Sequence, residues 1–198
     1  MNPVRFWVPG VPAPKGSWQG IPVRTNTGKV TTVLRSDKRL EVWTAAVRLA
    51  ATQAYSSKPW QTPVLLVGEF RFPRPQAHYW SSKKKQGQLR DTAPFFKESA
   101  PDIDKLARAV LDALTGVVYA DDRQVAVALW TKRYVVGGEA PGAFIVVMPI
   151  AGSSHQSLEA QWHWIVAQVQ HAVSNVRQEV IPTSSSERST GDQTRPLP

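Results

Sequence analysis

The block "PDIDKLARAVLDALTGVVYADDRQV", residues 101–125, holds five aspartates in a chain that has 15 acidic residues in all. Asp102 and Asp104 flank a single apolar residue, and Asp121 and Asp122 stand side by side just before an apolar run. In an extended segment side chains two apart face the same way, so Asp102 and Asp104 can aim at one spot while Ile103 turns to the core. Asp102 also suits the N-cap of a following helix, whose positive dipole end favours anions. If "TGVVYA" returns the chain to that end, three or four carboxylates meet there. Carboxylates so close repel one another, and their pKa values rise unless a cation neutralises them. Oxygen donors without His or Cys suit Mg²⁺ or Mn²⁺ rather than zinc. In a basic protein such a set fits two-metal hydrolysis of a phosphodiester, in which divalent ions activate water and stabilise the leaving oxygen. The spacing alone leaves other readings open. D-x-D also occurs in glycosyltransferases, in D-x-D-x-T phosphatases (here Leu106 replaces the Thr) and in plain helix caps, and Asp-Asp before a strand is often a turn.

The elements that must position these residues follow from periodicity. "VRFWV" (4–8) alternates and reads as a strand ending at Pro9-Gly10. A loop with a short hairpin at Asn26–Gly28 comes next. From Ser36 or Asp37 as cap, Leu40, Trp43, Val47, Ala50, Ala51 and Ala54 recur at helical spacing. "VLLVGEFRF" (64–72) is a buried strand stopped by prolines. A long polar insertion then carries Lys83, Lys84, Lys85 and Arg90 among His78, Tyr79 and Trp80, a mixture that suits phosphate contacts and base stacking and equally a solvated loop. Residues 104–114 form a helix with Leu106, Val110, Ala113 and Leu114 on its buried stripe, closed by Gly116. A strand over 124–136 turns at Gly137-Gly138, and 143–150 is expected to pair back on it as a hairpin. Leu158 to Val180 repeats apolar residues over about six helical turns, and the tail has the composition of disorder. The expected fold class is α+β. It is a single domain over residues 1–150, a mixed sheet with helices packed on it, followed by a helical extension (151–181) and a disordered tail (182–198).

Charge and composition narrow the partners. The chain of 198 residues has a net charge of +9 and no cysteine, which removes disulfides, thiolate metal sites and cysteine nucleophiles. Residues 1–100 hold 16 Lys/Arg against 5 Asp/Glu, and the remainder holds 8 against 10. A basic half attracts polyanions, of which nucleic acid is the commonest in a cell. No run approaches the ~20 apolar residues of a membrane span, and a cytoplasmic protein without membrane association is expected.

The block 101–125 resembles the signature of RusA-type Holliday-junction resolvases, endodeoxyribonucleases often encoded by phages and prophages. "FWVPGVPAPKGSW" and "SDKRLEVWTAAVRLAA" are similar to the family's opening strand, Pro-Lys-Gly loop and first helix, so the likeness covers about residues 4–150. The resemblance implies a homodimer that binds four-way DNA junctions and cuts symmetrically related strands with Mg²⁺ or Mn²⁺, in the host cytoplasm where phage-encoded. It places the catalytic carboxylates at Asp102, Asp104 and Asp122, with Asp121 as an adjacent acidic partner. It also places an important basic residue at Arg108, where the best-known members have lysine. Lys15, Lys83, Lys84, Lys85 and Arg90 are expected to contact backbone phosphates. Lys105 and Arg123 are read as salt-bridge partners of neighbouring aspartates, and Asp112 as an ion-pair partner in register with Arg108.

Overall fold

The computed structural model describes residues 2–16, 19–24, 26–35 and 37–150, and further along 160, 163, 165–167 and 169–170. The chain divides into two compact units, Met1–Ser154 and His155–Pro198. In the second unit the described residues are helical, while the expected tail over 182–198 lies outside them. Among the described residues no helix is long and apolar enough to cross a membrane.

The first unit is an α+β fold. In chain order its elements are β1 (Val4–Pro9), β2 (Gln19–Arg24), β3 (Val30–Arg35), α1 (Lys38–Ala54), β4 (Val64–Phe72), α2 (Ile103–Leu114), β5 (Val125–Tyr134) and β6 (Gly142–Pro149). Strands β2 and β3 form a separate antiparallel hairpin, and its turn carries Gly28 at φ 79°, a left-handed conformation that glycine adopts without strain. Asp37 caps α1 by accepting the Arg39 N–H at 2.9 Å. Trp43, Val47, Ala50 and Ala51 form the helix's buried stripe as its spacing predicts, whereas Ala54 at its end is exposed.

The main sheet has the order β1-β6-β4-β5. It is mixed: β5 runs parallel to β4, while β6 is antiparallel to both β4 and β1. The expected β5–β6 hairpin is therefore absent, and the reason lies in the burial each strand needs. All but the last residue of β6 are buried, so it requires partners on both edges and takes a central place. Strand β5 alternates between half-buried and exposed residues over most of its length, which suits an edge. The short connection after β5, residues 135–141, carries the chain past β4 to a place between β4 and β1.

One face of the sheet packs on the two helices. Val4, Phe6, Val8, Val64, Leu66, Phe70, Ile145 and Val147 meet Trp43 and Val47 of α1 and Leu106, Val110 and Leu114 of α2 in one core. The Trp130 ring of β5 stacks on Phe70 at 5.0 Å. It lies so flat across β4 that a Cβ on Gly68 would come within 2.1 Å of it, so glycine there is a packing requirement. On the opposite face Arg71 and Arg133 are buried yet charged. Arg133 is held by Glu139 at 2.6 Å and Glu69 at 3.0 Å, and Arg71 by Glu69 at 2.7 Å. A buried guanidinium is tolerable only when paired in this way.

Candidate active site

The segment from β4 through α2 to β5 is a parallel crossover unit, and its direction decides where the acidic residues fall. Because β4 and β5 are parallel, the intervening helix runs back antiparallel to both. Lys132, near the end of β5, reaches the entry to α2, with its Nζ 2.8 Å from the Pro101 carbonyl. Gln124, just before β5, donates at 2.9 Å to the carbonyls of Trp60 and Thr62, just before β4. Asp102 and Asp104 therefore lie at the C-terminal ends of the parallel strands, and Asp121 and Asp122 at their N-terminal ends. The 12 residues of α2 separate the pairs by about 18 Å at 1.5 Å per residue. The expected convergence on one end of the helix does not occur, because the chain after α2 goes on past Trp60 to the start of β5 rather than back along the helix. Among the described residues no three Asp, Glu or His side chains are grouped to hold a metal ion.

The N-terminal end is built on the exposed face of α2. Leu106, Ala107, Ala109, Val110, Ala113 and Leu114 are buried, which leaves Asp104, Lys105 and Arg108 facing solvent. Asp102 is the N-cap by its backbone, but its carboxylate makes no capping hydrogen bond; it pairs with Lys105 Nζ at 2.7 Å. That contact, with a smaller contribution from Lys132, holds the Asp102 carboxyl below its usual range. Asp104 and Arg108, one helical turn apart, enter no ion pair among the described residues. Ile103 does not enter the core: at 36% exposure it is the first residue of the helix and lies between its neighbours on the surface. With Asp102 extended and Asp104 helical, the two-residue alternation of a strand does not apply here.

Lys15 and Asp112 correct one another's readings. The Lys15 N–H donates to the Lys105 carbonyl at 2.9 Å, which lays the Pro-Lys-Gly loop against α2. Its Nζ then pairs with Asp112. Asp112 is an ion-pair partner as expected, but of Lys15 rather than Arg108, and the Lys15 ammonium is engaged within the protein.

At the other end, Asp121 begins a 3-10 turn over Asp122–Gln124. Its carboxylate accepts the Arg123 N–H at 2.9 Å and pairs with the Arg123 guanidinium at 2.8 Å. Its own N–H donates to Gln124 Oε1 at 2.8 Å. Arg123 is the main reason its carboxyl is pulled down to about 2, with Asp122 contributing least. Lys105 and Arg123 thus occupy the roles expected of them. Asp122 is exposed. Nearby, Tyr119 is buried and donates to the Leu111 carbonyl at 2.9 Å, and burial together with the Asp122 and Asp112 charges pushes its phenol up.

The polar insertion is more ordered than its composition suggests. Lys83, Lys84 and Lys85 form an exposed 3-10 turn. Trp80 N–H donates to Gln88 O at 3.0 Å and Arg90 N–H to His78 O at 2.9 Å, so the loop folds on itself as a ladder. Lys85 Nζ and the Arg90 guanidinium lie 4.7 and 5.6 Å from the Trp80 ring. Both cations are thus within cation–π reach of the half-buried indole. The sequence singles out Lys132 only as a lysine on the same strand row as the half-buried Trp130 and the buried Tyr134.

Comparison with known proteins covers this same architecture. The family model described as "Endodeoxyribonuclease RusA" matches residues 11–148. The chain is also similar to the "Uncharacterized protein YqaN" of Bacillus subtilis (strain 168), at 30% identity over 138 residues, which is 68% of this chain and 89% of that protein. The matched span begins in the Pro-Lys-Gly loop and ends in β6, with the acidic block inside it, and the chain belongs to the RusA family of endodeoxyribonucleases.

Proposed function

We propose that this protein is a divalent-metal-dependent, structure-specific endodeoxyribonuclease that resolves four-way DNA junctions by paired symmetric nicks, acting as a homodimer in recombination or repair. The observation that carries the reading is the placement of Asp102, Asp104 and Arg108 around one exposed turn of α2, in a nuclease-family chain of net charge +9. A DNA-binding surface gains nothing from clustered carboxylates unless cations share them.

The donor chemistry fits Mg²⁺ or Mn²⁺: Asp102, Asp104, Asp122 and the auxiliary Asp121 offer only hard oxygen. A bound divalent ion supplies Lewis-acid polarisation of the phosphate and a lowered pKa for water at the site. The two ends of α2 are too far apart for one chain to supply all four carboxylates to one ion. In a symmetric dimer the Asp102–Asp104 end of one copy meets the Asp121–Asp122 end of the other, and the symmetry operator creates two such sites at once. Two sites in one dimer match two cuts in symmetry-related strands.

The remaining roles follow from exposure. Arg108 offers a planar, permanently charged fork to a phosphate but has no proton to give as an acid. Lys105 and Arg123 are the internal counter-ions that Asp102 and Asp121 exchange for cation and substrate. Lys83, Lys84, Lys85 and Arg90 present charge to the DNA backbone from the loop that holds Trp80, whereas Lys15 braces α2 through Asp112. In this reading residues 1–150 are the nuclease domain, and the protein works in the cytoplasm.

A synthetic four-way junction incubated with Mg²⁺ and either wild type or Asp104→Asn tests the proposal. Paired nicks that vanish in the variant support it. Junction binding without cleavage by the wild type would make this a branched-DNA-binding protein instead.

A further inference from the structure

The chain reaches Asp102 through a surface segment that has little packing to fix it. Residues 98, 99 and 100 are exposed and Pro101 is half-buried. Such a segment would let Asp102 wander unless polar contacts hold it. The Ser99 hydroxyl accepts from Lys97 Nζ at 2.7 Å and lies 3.5 Å from the Tyr134 hydroxyl, and the backbone contacts converge on one residue of β5. The Lys97 N–H donates to the Lys132 carbonyl at 3.2 Å. The Lys132 Nζ donates to the Ser99 carbonyl at 3.0 Å and the Pro101 carbonyl at 2.8 Å. Lys132 shares its strand row with Trp130 and Tyr134, which pack at the helix-covered core. A lysine on that row loses hydration, and two fixed carbonyl acceptors offset the loss.

We propose that Lys132 is a positioning residue for the N-terminal half of the active site, clamping the carbonyls of Ser99 and Pro101 so that Asp102 and Asp104 are presented in one orientation. The proposal rests on the reading of Asp102 as a metal ligand. It separates two lysines that both lie near this carboxylate. Lys105 is paired with Asp102 directly and must leave when a cation arrives. The Lys132 ammonium is bound to backbone oxygens and can stay. Its two effects on cation binding also have opposite signs: as a nearby positive charge it repels a divalent ion, whereas as a clamp it lowers the cost of ordering the ligands.

The test uses full-length wild type, Lys132→Met, Lys132→Arg and Asp102→Asn, with amide hydrogen exchange over 102–105 in the absence of metal and a Mn²⁺ titration by calorimetry. In Lys132→Met, exchange should speed up and Mn²⁺ binding weaken by about tenfold, the scale on which outer partners of metal ligands act. Lys132→Arg, whose guanidinium can still donate to both carbonyls, should restore most of both. If Lys132→Met melts far below wild type, Lys132→Arg carries the test: it must melt and exchange like wild type. Unchanged exchange, or Mn²⁺ bound equally or more tightly by a folded Lys132→Met, overturns the clamp. Mn²⁺ binding unaffected by Asp102→Asn removes the ligand reading and the proposal with it. The exchange measurement needs no metal, so that failure is distinguishable from failure of the clamp.

Discussion

The two ends of α2 carry the same chemistry in opposite states of preparation. At the N-terminal end Asp104 and Arg108 face solvent without an ion pair among the described residues, and only Asp102 is engaged, by Lys105 at 2.7 Å. At the C-terminal end Asp121 is bound to Arg123 through backbone and side chain and its turn is tied to Trp60 and Thr62 through Gln124. The first end is an open surface on a helix whose buried face fixes it. The second is a rigid turn whose one loose carboxylate is Asp122. Neither end alone has the donors for a two-ion site. In the proposed dimer these are the complementary halves that two copies bring together.

The largest expected effect breaks both halves alike. Asp104→Asn and Asp122→Asn should each lower the single-turnover nicking rate on the order of 10³-fold, since losing metal-held charge stabilisation costs several kcal/mol of barrier. Gel-shift affinity for the junction should change little. Arg108→Ala tests the open end alone. It should slow nicking about 10²-fold, in the range set by loss of one preorganised donor to a charged transition state, and Arg108→Lys should recover part of that.

A third prediction concerns the scaffold behind the open end. Arg133→Ala leaves Glu69 and Glu139 with Arg71 as their remaining partner and should cost less in urea unfolding than the about 3–5 kcal/mol that follows when a buried charge loses its whole pairing. Arg133 also holds the Glu139 carboxyl low. The stability this contributes is fully present above the ordinary glutamate value of 4.5 and is lost as pH falls through the lowered one. The urea midpoint of wild type should therefore fall more steeply in acid than that of Glu139→Gln.

Replacing Lys83, Lys84 and Lys85 together by alanine should reduce the slope of log binding constant against log salt by about 2–3, roughly 0.9 for each phosphate no longer neutralised. The smallest effect sharpens the closed end: in Arg123→Gln the Asp121 carboxyl, observed by NMR, should titrate nearer the ordinary aspartate range than at about 2, with the melting temperature almost unmoved.

Much of this architecture was legible in the sequence, and what was not has physical reasons. The stripes Trp43–Val47–Ala51 and Leu106–Val110–Leu114 announce α1 and α2, because a helix face must be apolar to be buried. The fully apolar β6 also held the clue to its central place, but chain adjacency to β5 outweighed it in the hairpin reading. The acidic residues were recognisable, but their separation was not. Asp102 and Asp122 sit in one short block, yet a helix between them carries the chain about 18 Å, and the parallel crossover allows no return. The Lys132 contact depends on which strand end meets which loop, and no local pattern encodes that.

The central claim is that each active site combines Asp104 of one copy with Asp122 of another. Asp104→Asn and Asp122→Asn proteins, each inactive alone, can be mixed, allowed to exchange subunits and given a four-way junction with Mg²⁺. A mixed dimer then has one intact site and one doubly broken site. The account predicts that cleavage returns as single nicks on one strand, without the paired cuts of wild type. A mixture as inactive as its components, with subunit exchange demonstrated, would contradict it.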